Sequence, residues 1–100
     1  MSITGSQARA ARALVQIPVQ ELARVSRIEA AAIIAFEIGT SAADDDTKRR
    51  LRHALEESGA VFVAEDDAGG IGVRLKYTRN QVRAINRWEG EGGPVGEDDI

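Results

Sequence analysis

The stretch from Pro18 to Gly39, PVQELARVSRIEAAAIIAFEIG, decides how this 100-residue chain folds. Proline suits the opening of a helix, where no intrahelical bond needs its missing N–H. Val19, Leu22 and Ala23 then form a buried stripe, and this helix is expected to end near Ser26. A second helix is predicted from Glu29 to Ile38, with Ile28, Ala32, Ile33 and Phe36 on its core side. Gly39 suits the left-handed residue that terminates helices. A short helix, a tight break and another short helix therefore occupy the centre of the chain.

Helical signals continue on both sides. Thr4 to Val15 reads as a first helix, capped by Thr4 or Ser6, with Ala8, Ala11, Leu14 and Val15 on one face. Asp44, Asp45 and Asp46 suit the positive N-terminal end of a fourth helix. Leu51, Ala54 and Leu55 are its buried positions, and Gly59 stops it. The period then changes from helical to alternating. Ala60–Glu65 and Ile71–Tyr77 read as two strands joined by the turn formers Asp66 to Gly70, with Val73 and Leu75 on one side and Arg74 and Lys76 on the other. Thr78 is placed to cap a last helix running to Trp88, with Val82, Ile85 and Trp88 on its apolar side. Gly90–Ile100, rich in glycine and acids, has the composition of a disordered tail.

The expected architecture is mainly α: a four-helix bundle over residues 1–59, a β-hairpin and C-terminal helix over 60–88 within the same domain, and a flexible acidic tail over 89–100. Composition narrows the function. One domain is the natural reading of this length, and its core is small enough for oligomerisation to help. The chain has no cysteine and one histidine, His53. Disulfides, zinc-thiolate sites and thiol catalysis are thereby excluded, and a His-based metal cluster or triad is disfavoured. No apolar run reaches the roughly 20 residues of a membrane span, and no signal pattern opens the chain. A cytoplasmic, cofactor-free, non-enzymatic protein is the expectation. The formal charge of −3 is uneven. Glu89, Glu91, Glu97, Asp98 and Asp99 place −5 in the last twelve residues, which leaves +2 on the body.

The motifs resemble those of the XRE (phage-repressor-like) helix-turn-helix family. Ala10-Ala11-Arg12-Ala13-Leu14 is similar to the core of its first helix. Glu21-Leu22-Ala23 resembles the signature of its second. Ile33, Phe36-Glu37 and Gly39 resemble the end of its recognition helix, and the spacing from Leu22 to Phe36 matches without a gap. Leu51, Ala54-Leu55-Glu56 and Gly59 look like the fourth helix of a branch that continues into a hairpin with a Gly-Val-Arg-Leu run, here Gly72 to Leu75. The resemblance implies a small transcription regulator that binds double-stranded DNA as a homodimer.

Departures from the family pattern fall on the reading surface. Pro18-Val19 stands where the family has Ser-Gln, Arg27 where it has a small turn residue, and Glu29 where it has a Ser or Thr cap. The expected binding face is Val19, Gln20, Glu29, Ala30, Ala31 and Ile34. It has no Arg, Lys or Asn and only Gln20 as an amide, whereas major-groove reading rests on such groups. An apolar patch of Val19, Ala30, Ala31 and Ile34 equally suits a regulatory protein partner, in the manner of an antiactivator or antitoxin. Candidate phosphate contacts are Arg27, Lys48, Arg49, Arg50, Arg79, Arg83 and Arg87. Both basic clusters, which include Arg52, can equally be solvated faces paired with Asp and Glu.

Other candidates carry less. Gly69-Gly70-Ile71-Gly72 joins two strands with no lysine following in P-loop spacing, so a turn is the better reading. Glu56 and Glu57 are adjacent on a helix and point apart. His53 suits a helix surface or a half-buried position, and Trp88 a cover for the core. An isolated hairpin is marginally stable and its edges invite pairing. Val61, Val63, Val73 and Leu75 are therefore the expected dimerisation residues.

Overall fold

The computed structural model describes residues 2–77. Four helices, α1 (Gly5–Val15), α2 (Val19–Ser26), α3 (Ala30–Glu37) and α4 (Asp45–Glu57), precede a two-stranded antiparallel sheet of β1 (Ala60–Val63) and β2 (Gly72–Leu75). The predicted last helix from Thr78 to Trp88 and the acidic tail lie outside the described residues.

Each helix boundary has a local cause. The Thr4 hydroxyl accepts from the Gln7 N–H at 3.1 Å, while the Gln7 side chain accepts from the Thr4 N–H at 3.0 Å. This reciprocal box satisfies two donors that the first turn cannot use. It also selects Thr4 over Ser6 as the cap. The Asp44 carboxylate accepts from the Thr47 N–H at 2.8 Å, and this bond holds Asp44 below its ordinary pKa. Pro18 and Glu29 precede α2 and α3 in extended backbone, without a side-chain cap. Gly39 and Gly59, at φ 82° and 110°, turn the chain out of α3 and α4.

Arg27 ends α2 at φ 62°. A side chain there costs about 1–2 kcal/mol, because Cβ crowds the following carbonyl. Arg27→Gly is therefore expected to stabilise the fold by roughly 0.5–1 kcal/mol after the added chain entropy is counted. Urea denaturation reads this as a higher midpoint at unchanged slope.

The helices meet on one core. Leu22, Ile33, Leu51 and Leu55 are fully enclosed, joined by Ile3, Ala8, Ala11, Phe36, Ala54, Ala60 and Phe62. α1 is central and touches α3, α4 and both strands, while α2 packs on α3 and α4. Ala8 and Ala11 are small, so α1 comes close to its neighbours. Gly5 takes this furthest: a Cβ there would run into the Phe36 carbonyl oxygen. The stripe that α1 buries is Gln7, Ala8 and Ala11. Leu14, predicted to be buried, is 41% exposed, because the stripe passes through Ala8 and Ala11 and turns Leu14 outward. Ala32, predicted on the core side of α3, is also exposed, since Ile33, Phe36 and Glu37 face inward instead.

The strands are shorter than predicted: Ala64, Glu65, Ile71, Lys76 and Tyr77 flank the sheet and do not extend it. The register pairs Ala60 with Leu75 and Phe62 with Val73. Directly paired residues share a sheet face. Val73 and Leu75 therefore lie on the face of buried Ala60 and Phe62, and Val61 and Val63 lie on the opposite face. The four residues expected to form one dimerisation patch are split between two sides. The hairpin is tied to α1 by buried Gln7, whose Nε2 donates to the Gly72 carbonyl at 2.9 Å and the Val63 carbonyl at 3.5 Å.

Candidate functional site

α2 and α3 are joined by Arg27, Ile28 and Glu29. The left-handed Arg27 reverses the chain, and its N–H donates to the Ala23 carbonyl at 2.9 Å. Ser26 is buried at the bend and accepts from the Ile28 N–H at 3.3 Å. The Glu29 carbonyl then receives the N–H groups of Ala32 and Ile33, which starts α3. Leu22 from α2 and Ile33 and Phe36 from α3 anchor the two helices to the core.

What α3 leaves outside is apolar. Ala31, Ala32 and Ile34 are exposed, Ala30 is half-buried, and Ile34 and Ile38 are 43% and 56% exposed. Gln20 and Glu29 are exposed as well. Val19 departs from the expected face: it is half-buried and leans on the core. The open patch is thus carried by α3 and its last turn more than by the start of α2. Val25 of α2 adds another exposed aliphatic side chain.

The structure also shows an ion pair that sequence reading missed. Arg12 of α1 grips Glu37 at the end of α3 with both arms of its guanidinium, Nε to Oε2 at 2.8 Å and Nη2 to Oε1 at 2.9 Å. Glu37 is 3% exposed at its side chain and Arg12 26%. The hydrogen bonds to Glu37 raise the Arg12 pKa above its ordinary value. Two parallel bonds fix orientation as well as distance, so α3 is locked to α1 at the turn that follows its exposed face. A signal for this existed: Arg12 lies four residues after Ala8, and Glu37 four after Ile33. Each charge therefore stands on an apolar stripe, where an unpartnered charge would be costly.

Two of the predicted phosphate contacts on α4, Arg49 and Arg50, are held within their own helix. Asp46 meets Arg50 at 3.0 Å and Arg49 at 3.4 Å, and Arg52 meets Glu56 at 2.9 Å and sits over the Phe62 ring. His53, on the helix surface as predicted, is 3.6 Å from Glu57. Lys48 is half-buried and lines a shallow depression of mixed charge, with Arg49, Arg52 and His53 beside Asp45 and Glu56. On α2, Arg24 bonds Glu21, which lowers the Glu21 pKa. Exposed pairs of this kind are screened by solvent and contribute little, so a phosphate can compete for these cations. Arg79, Arg83 and Arg87 lie outside the described residues. Among the described residues, no group of His, Cys, Asp or Glu is placed to hold a metal ion, and no helix is long and apolar enough to cross a membrane.

No family model matches the chain, and no curated protein matches it in sequence.

Proposed function

We propose that this protein is a small helix-turn-helix regulator of transcription that lays α3 against duplex DNA. One observation carries the reading: two short helices, anchored by Leu22, Ile33 and Phe36 and braced by Arg12–Glu37, hold Ala31 and Ile34 open to solvent. A rigid short helix presented in this way has the size to enter the major groove. Its chemistry sets the mode of binding. Ala31 and Ile34 can pack on thymine methyl groups but form no bidentate base contact. Arg27, Lys48, Arg49 and Arg50 supply phosphate contacts that carry affinity without sequence information. Modest selectivity and steep salt dependence follow.

Titration of the protein with duplex DNA from upstream of its own gene, over a range of salt concentrations, tests this. Binding is expected to weaken steeply as salt rises. Ile34→Asp is expected to weaken it at least about tenfold, by placing a carboxylate among phosphates. Absence of binding at low salt rejects the reading.

A second reading is favoured by the charge pairing on α4. Asp46 partly neutralises Arg49 and Arg50, while Ile34 and Ile38 form an apolar surface suited to another protein. On this reading the domain has lost base recognition and holds a regulatory protein, as an antiactivator or antitoxin does. Recovery of one defined protein partner, lost on Ile34→Asp, together with no DNA binding at low salt, selects it.

A further inference from the structure

We infer that a second copy of this chain docks along the edge of β2 that faces away from β1, strand to strand, with Val73 opposite Val73. The pairing would supply the dimer expected of a regulator, but it rests on the hairpin and the adjoining face of α1 and stands or falls without DNA.

The register shows which backbone groups are available. The Lys76 N–H donates to the Gly59 carbonyl at 2.7 Å, so this pair is of the hydrogen-bonded kind. Hydrogen-bonded and non-hydrogen-bonded pairs alternate along antiparallel strands. Val61–Arg74 and Val63–Gly72 are thus bonded pairs, while Ala60–Leu75 and Phe62–Val73 point their N–H and C=O groups away from each other. The outward groups of β1 belong to Ala60 and Phe62, which are buried, and α4 packs on that strand. The outward groups of β2 belong to Val73 and Leu75, which are half-exposed, with exposed Ile71 just before them. Among the described residues only β1 pairs with β2. An edge of this kind is a template for another strand.

Beside that edge runs an apolar groove of about 540 Å³, lined by Ala10, Ala13 and Leu14 of α1 and by Ile71 and Val73. Leu14 and Ile71, 41% and 48% exposed, stand on its rim. A two-fold axis through Val73 sets Ile71 opposite Leu75 of the second copy and brings the two grooves together on the same side of a four-stranded sheet. Each copy then offers Leu14 and Ile71 to the other.

Charge selects this register over its neighbour. An axis through Arg74 would put the two arginines directly opposite, which is unfavourable for like charges. With the axis through Val73, Arg74 faces Gly72 of the second copy. Lys76 then falls beside the hairpin turn of the second copy, where Asp66 and Asp67 are exposed.

Sedimentation of the full chain without DNA tests the proposal, with circular dichroism to verify folding. A reversible dimer is expected, and Ile71→Lys and Leu14→Lys are each expected to raise its dissociation constant at least about tenfold, as for a central apolar contact. The chain has no cysteine, so cross-linking reads the register directly. Gly72→Cys with Arg74→Cys is expected to form a covalent dimer on oxidation, since open space surrounds a Cβ at Gly72. Arg74→Cys alone is expected to cross-link poorly. A monomer at millimolar concentration overturns the proposal. So does a dimer indifferent to both lysine variants that the double-cysteine chain fails to trap. Efficient cross-linking by Arg74→Cys alone overturns the register.

Discussion

Replacing Arg12 with alanine is expected to lower the free energy of unfolding by about 3 kcal/mol, the low end of what is lost when a buried ion pair is stripped of one partner. The low end applies because Arg12 retains 26% side-chain exposure, so water can reach part of the site. The loss is not the net worth of the pair. It reflects the Glu37 carboxylate left largely enclosed, with no counter-charge and only partial access of water to replace two short hydrogen bonds. Replacing both members, Arg12→Met with Glu37→Leu, removes the stranded charge and is expected to recover most of the stability. Chemical denaturation of Arg12→Met, Glu37→Leu and the double variant measures the coupling. A double variant as unstable as the sum of the singles would show that the two residues act independently. Because the pair joins α1 to the end of α3, Arg12→Ala is also expected to weaken whatever α3 binds.

Gly5→Ala is expected to be nearly as damaging, at about 3 kcal/mol, the upper end for overpacking. That corresponds to a fall in Tm on the order of 15 °C for a domain of this size. The added methyl meets a backbone carbonyl, that of Phe36, which cannot swing aside as a side chain would. α1 must therefore lift from the end of α3. Gly72→Ala is the control: nothing lies within 4 Å of a Cβ at that position, so its effect should be small. Thermal unfolding of both variants distinguishes a close helix approach from a general intolerance of alanine. A Gly5→Ala chain as stable as the parent would show that the contact is looser than drawn.

The helical core was legible because its signal is local. Leu22, Ile33, Leu51 and Leu55 recur at helical spacing on segments bounded by Pro18, Gly39, Asp44 and Gly59, and all four are enclosed. The alternation from Ala60 and from Gly72 marked the strands for the same reason, though not their ends, where pairing decides and composition does not. The missed features depend on partners far along the chain. Arg12 and Glu37 are 25 residues apart, and Gln7 reaches Gly72 across 65. Periodicity marks Arg12 and Glu37 as charges on apolar stripes, but neither separation tells which residues meet. Leu14 and Ala32 were assigned inward on periodicity alone, but a helix face is several residues wide, and small neighbours such as Ala8 and Ala11 decide which part of it touches. Of the proposed binding face, Ala31 and Ile34 stand open to solvent, while Val19 was assigned outward and instead leans on the core. The basic residues of α4 were recognisable, but their engagement with Asp46 and Glu56 was only one of two readings.

Gln7 leaves no part of its amide idle. One end fastens the first turn of α1, and the other reaches the turn end of the hairpin. The two extremities of the described chain are therefore fastened by a single side chain, and fraying at one should be felt at the other. In amide hydrogen exchange, the first turn of α1 and the Val63–Gly72 rung would lose protection together, as one cooperative unit, although Gln7 and Val63 are 56 positions apart in sequence.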